Sequence, residues 1–176
     1  MDNKTLKYFV FGLVIFILSC GSTGKRFSPA HNIVIKFNHW FTFDFDSRVL
    51  TLKFDGEDAI RDTLHFSDDQ LKLIEKTFYE KRIGEIDTEV RLGRFIEYPS
   101  SAYIIDILQN NKLQGTIHWE SDYRKNHVST TQGYIDFCII LMDIITSKRE
   151  FLKMNGISLE KQEKYLRDTY LKKQTD

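Results

Sequence analysis

Ile33-Val34-Ile35-Lys36-Phe37, Phe41-Thr42-Phe43-Asp44-Phe45 and Leu50-Thr51-Leu52-Lys53-Phe54 stand close together, and Phe66-Ser67-Asp68-Asp69-Gln70-Leu71 comes next. In each of the first three segments an apolar residue recurs at every second position. Successive side chains of a strand point to opposite faces, so this alternation predicts strands with one buried face. Asp46-Ser47 and Asp55-Gly56 supply turns, and Ile60, Leu64 and Phe66 predict a further short strand. The fourth segment predicts a helix start. The Ser67 hydroxyl and the Gln70 amide are placed to satisfy exposed N–H groups reciprocally as a capping box, while Phe66 and Leu71 occupy the two positions of a hydrophobic staple. Asp68 and Asp69 suit the positive end of the helix dipole, which accounts for the pair without a metal. Leu71, Ile74 and Phe78 form the inward stripe, and Gly84 is read as the helix end.

Beyond a loop over 84–100, Tyr103 to Leu108 and Leu113 to Trp119 predict two more strands, the second with Leu113, Ile117 and Trp119 inward. Asn110-Asn111 between them suits a hairpin turn, since asparagine tolerates positive φ. Ser129 to Gln132 repeats the capping-box pattern and opens a helix over 130–150, apolar at Tyr134, Phe137, Cys138, Leu141 and Ile145. Asn155-Gly156 is read as a break before a last helix, Ser158 to Lys173, with a narrow seam of Leu159, Leu166 and Tyr170. Strands joined by short turns pair antiparallel, and helices must cover one face of the resulting sheet. The expectation is one α+β domain over 31–176, an antiparallel sheet of about five or six strands with helices packed on one face.

The chain has 176 residues, a length that suits one domain. Lysine plus arginine number 25 and aspartate plus glutamate 25, so the zero net charge argues against a general nucleic-acid binder. Hydrophobic residues make up 41% of the chain, too many for a disordered tail protein. Two cysteines and two prolines rule out a disulfide-stapled miniprotein and a proline-rich linker.

The N-terminus speaks to location. Lys4 and Lys7 precede an apolar run from Tyr8 to Leu18, the pattern of a secretory signal, and the run is about half of the ~20 residues needed to span a bilayer. Directly after it, Ile17-Leu18-Ser19-Cys20-Gly21 resembles the lipobox of bacterial lipoproteins, in which a small residue precedes the cysteine cut and modified by the type II signal pathway. The resemblance implies a signal peptide over 1–19, lipid attachment at Cys20, and acylation of the new amino group, with the lipid bilayer as a partner. Several acyl chains on one residue hold a protein to a membrane where one chain does so marginally. The residue after Cys20 is not aspartate, so the resemblance implies a membrane-anchored protein facing the periplasm from the outer membrane. Residues 20–30 then form the lipidated cysteine and a flexible tether, and ten such residues reach about 33 Å at full extension.

Catalytic patterns are sparse. Gly-x-Gly-x-x-Gly, the P-loop and Gly-x-Ser-x-Gly are missing from the sequence. His118, Glu120 and Asp122 are spaced by two, and with His127 they have metal-ligand composition, yet the same face would carry Lys112, Gln114 and Thr116 as an ordinary solvated surface. Asp44 and Asp46 share a strand face, which is commonplace. Cys138 stands in Asp136-Phe137-Cys138-Ile139-Ile140, where burial as a small hydrophobe disfavours a reactive thiolate. Most of the 14 phenylalanines fall at inward positions and read as core. No catalytic residue, metal or cofactor is assigned.

The working surface is placed at the long loops. The 84–100 loop enters the Tyr103 strand and the 120–129 loop leaves the Trp119 strand, so a hairpin turning at Asn110-Asn111 gathers both at its other end. Loops of this length in a compact domain are often functional. Arg91, Arg94, Tyr98, Tyr123, Arg124 and His127 are the partner-binding candidates, arginine and tyrosine being frequent hot-spot residues. The functional expectation is a non-enzymatic binding module for an envelope protein or ligand. Its alternatives are an immunity-type inhibitor of a periplasm-acting toxin and a hydrolase of envelope carbohydrate or peptide. In outline the domain looks like the many small lipoproteins of Gram-negative bacteria, a resemblance that transfers no site residue.

Overall fold

A computed structural model describes residues 31–93, 102–126 and 128–173. They form a single α+β domain around a mostly antiparallel open sheet of seven strands, one more than expected. The strands are β1 (His31–Phe37), β2 (Phe41–Asp44), β3 (Val49–Leu52), β4 (Ile60–Thr63), β5 (Glu89–Leu92), β6 (Ala102–Gln109) and β7 (Lys112–Glu120). The helices are α1 (Asp68–Glu80), α2 (Ser129–Thr146) and α3 (Arg149–Lys173), with a 3-10 turn at Ile83–Glu85. Strand order is β4-β3-β2-β1-β6-β7-β5. Consecutive strands β4 and β5 thus sit at opposite edges, and α1 carries the chain between them. Among the described residues no helix is long and apolar enough to cross a membrane.

The period-two alternation of β1 to β3 sorts the sheet faces. Ile33, Ile35, Phe43, Leu50 and Leu52 are wholly buried, while Val34, Lys36, Thr42, Asp44 and Thr51 lie on the other, solvated side. There Lys36 Nζ donates to Asp106 Oδ2 at 2.8 Å, and Thr116 Oγ1 donates to Asp106 Oδ1 at 2.9 Å. The helical layer covers the buried side. Phe78 of α1 meets Phe137 of α2 edge-on at 5.9 Å, and Phe151 of α3 lies 5.7 Å from Phe37. Asp44, read beside Asp46 as a possible pair of acids, closes its turn by accepting from the Ser47 N–H and hydroxyl.

The expected capping box at Ser67 is formed: Ser67 Oγ accepts from Gln70 N at 3.3 Å, and Gln70 Oε1 accepts from Ser67 N at 3.0 Å. The helix end is corrected. α1 stops at Glu80, and the left-handed residue after it is Arg82 at φ 56°, not Gly84. Gly84 answers to crowding instead, since a Cβ there would lie 2.9 Å from the Phe78 ring and 3.2 Å from His31 Nε2.

The stretch read as an 84–100 loop contains the 3-10 turn and the edge strand β5, which runs parallel to β7. The connection between them lies directly on β7: Gln114 Nε2 donates to Gly84 O at 2.8 Å, and Thr116 N donates to Thr88 O at 3.1 Å. A Cβ at Gly115 would stand 2.5 Å from the Ile86 carbonyl oxygen, so the crossing requires glycine. Beside this crossing the β6–β7 register shifts between Ile107 and Leu108, with Ile107 opposite Gly115 and Leu108 opposite Leu113. An extra residue in one strand breaks the alternation and turns the neighbouring side chain to the other face. Leu113, expected inward, is therefore 64% exposed.

The C-terminal helices are also corrected. α2 ends at Thr146, where the Thr146 and Ser147 hydroxyls donate to the Met142 and Ile144 carbonyls. α3 then runs unbroken through Asn155-Gly156. Phe151, Met154 and Ser158 are buried on either side of that pair, and their packing outweighs a glycine's propensity cost of about 1 kcal/mol. Leu159, expected in the inward seam, is 51% exposed, because Ser158 takes the buried position. The side chains of Leu166 and Tyr170 lie outside what is described.

Candidate functional site

The site grows from the end of β7. Leu92 of β5 pairs with Trp119, and Ala102 at the start of β6 pairs with Glu120, so β5 and β7 leave the sheet beside the entry of β6. This end is opposite the Asn110–Asn111 turn, whose two residues have φ of 50° and 62°. Trp119 is buried, stacks on Tyr103 at 5.4 Å, and donates through Nε1 to the Tyr123 carbonyl at 2.9 Å. The indole thus fixes the first bend of the loop. Glu120 lies over Gly93, where a Cβ would come within 2.5 Å of its Oε2.

From there the loop is stitched to α2. Asn126 Nδ2 donates to the Tyr123 hydroxyl at 2.6 Å, and Asn126 Oδ1 accepts from Val128 N at 2.8 Å. Gln132 Oε1 accepts from Asn126 N at 2.7 Å, and its Nε2 donates to Arg124 O at 3.3 Å and to Asp136 Oδ1 at 2.7 Å. Asp136 in turn pairs with Lys81 at the end of α1. The expected capping box over Ser129–Gln132 is absent for this reason. The N-cap is Val128, which makes no side-chain bond, and the Gln132 amide is consumed by the loop. Arg124, Lys125, Asn126 and Gln132 border an open hollow of about 400 Å³.

Of the six partner-binding candidates, Tyr123 and Arg124 stand together here. Tyr123 is half-buried against the core and acts as a fastening, whereas Arg124 is exposed. Arg91 lies on β5, on the solvated sheet face, with Nε 2.6 Å from Glu89 Oε1. That hydrogen bond holds the Glu89 carboxyl below the usual glutamate range. His118 Nε2 is 3.5 Å from the same Glu89 oxygen. Arg94, Tyr98 and His127 lie outside the described residues. Burial pushes the Tyr103 phenol up, and the charge of Arg124 offsets part of that rise.

Among the described residues no three His, Cys, Asp or Glu side chains gather as metal ligands. Cys138 is fully buried in α2, and burial pushes its thiol far up, so it carries no thiolate chemistry. Sequence reasoning missed Gln132, Asn126, Asp136 and Lys81, which hold the loop. Gln132 was hidden because its spacing from Ser129 imitates a cap.

No family model, curated protein or solved structure matches the chain.

Proposed function

We propose that the protein is a lipid-anchored lipoprotein facing the periplasm from the outer membrane, and that its domain is a non-enzymatic binding module. One observation carries the anchor: two lysines, an eleven-residue apolar run and Ser19-Cys20-Gly21 stand in lipobox order. Acylation of Cys20 and the short stretch to His31 then keep the domain near the bilayer.

Support for binding comes from the 120–126 end. Its loop is fastened by the Trp119, Asn126 and Gln132 bonds, so a partner meets a surface with little left to order, which lowers the entropic cost of association. Mass spectrometry of the chain extracted from membranes tests the anchor. A mature form beginning at an acylated Cys20 is expected, and an intact Met1 or an unmodified Cys20 overturns it. Affinity for a partner recovered by envelope crosslinking tests the module, with turnover on cell-wall fragments counting against it.

A further inference from the structure

The hollow bordered by Arg124, Lys125, Asn126 and Gln132 divides its polar groups into two sets. Asn126 and Gln132 are spent inside the protein, as backbone and side-chain partners of the loop. Arg124 and Lys125 are not. Both are exposed, and among the described residues neither has an ion-pair partner. By contrast, Lys36, Lys81, Arg82, Arg91 and Lys161 each meet a carboxylate, that of Asp106, Asp136, Glu85, Glu89 and Glu57 in turn. Asp122, two residues before Arg124, is exposed and pairs with neither of the two.

We propose that this hollow binds an oxyanion, a carboxylate or phosphate group, through Arg124 and Lys125. The inference rests on the binding-module reading and names the chemistry its partner presents. A guanidinium offers a planar fork of donors matched to both anions, and the neighbouring ammonium adds a second, movable charge. Two adjacent cations on a free loop would bind weakly, because ordering the chain offsets the attraction. Here the backbone of Arg124 is held from three sides. Its own carbonyl accepts from Gln132, the preceding carbonyl accepts from Trp119, and Asn126 N is tied to Gln132 two residues on.

The test is a titration of the purified full chain in detergent, at constant ionic strength, monitored through the backbone amide signals of residues 124–126. Inorganic phosphate is one probe and a hexaglutamate peptide the other, with chloride as the balancing anion. Saturable shifts confined to this hollow are expected, with affinity at least tenfold weaker in the Arg124→Gln/Lys125→Gln double variant. Tighter binding of hexaglutamate assigns the anion to an acidic protein segment, and tighter binding of phosphate assigns it to a phosphorylated group. Non-saturating shifts, or equal affinity in the double variant, overturn the proposal. The double variant changes two exposed side chains that have no ion-pair partner among the described residues, so its thermal unfolding serves as a folding control. Partner crosslinking from position 124 without either anion binding would refute the anion chemistry and leave the binding module standing.

Discussion

The β1–β3 half of the sheet and the β5–β7 half are built from similar residues but obey different constraints. In the first, every pair from Val34↔Asp44 to Asp44↔Val49 runs in register, and short turns through Asn38, His39 and Arg48 at positive φ close the hairpins. Each apolar residue at an alternate position faces the helices. In the second half the Ile83–Thr88 connection lies on β7 at Gly115, the register shifts at Ile107, and the edge strand is parallel. Alternation assigns a face only where strand pairing is uninterrupted. Where another backbone rests on the strand, a single glycine is the whole signal.

Substitutions can break this contrast. Phe43 is wholly buried in the regular half, and Phe43→Ala is expected to cost about 3–5 kcal/mol in denaturant unfolding. In the irregular half, Gly115→Ala is expected to cost about 1–3 kcal/mol, since its methyl would press on the Ile86 backbone. A neutral result there would remove the close approach from the explanation. The helical layer over the core supplies a third test through pH. Burial raises the Cys138 thiol, so the folded chain keeps its proton while the unfolded chain loses one near the ordinary thiol value of 9.0. Stability is full below that pH and falls above it by up to about 1.4 kcal/mol per pH unit. The difference between the protein and Cys138→Ala should show this slope between about pH 9 and 11, and parallel curves would contradict it. The smallest effect belongs to Leu113→Thr. Because the bulge turns Leu113 outward, the change should stay within about 0.5 kcal/mol. A loss of about 2 kcal/mol or more would restore the inward reading of that residue.

The same contrast explains which features were legible in the sequence. The α+β class, the strands from Ile33 to Leu52, the cap at Ser67 and the Asn110-Asn111 turn obey short-range rules, because local periodicity and local hydrogen bonds formed them. Strand β5 escaped because Glu89-Val90-Arg91-Leu92 has only two inward residues, too few for a periodic signal. Asn155-Gly156 misled because tertiary burial of Met154 and Ser158 overrides local propensity. At the candidate site, Arg124 and Tyr123 were legible by residue type. The bonds that hold them were not, since Gln132 and Asn126 meet only after α2 folds back beside the loop.

The central claim is that the 120–126 end is the working surface of an anchored protein, and the opposite end is its natural control. A photo-crosslinking residue placed at position 124, and separately at exposed position 113, in the native envelope compares the two directly. The expected result is a discrete partner adduct from position 124 and none from position 113, with the adduct competed by the unlabelled domain. Adducts from position 113 alone, or equal capture from both, would contradict the account.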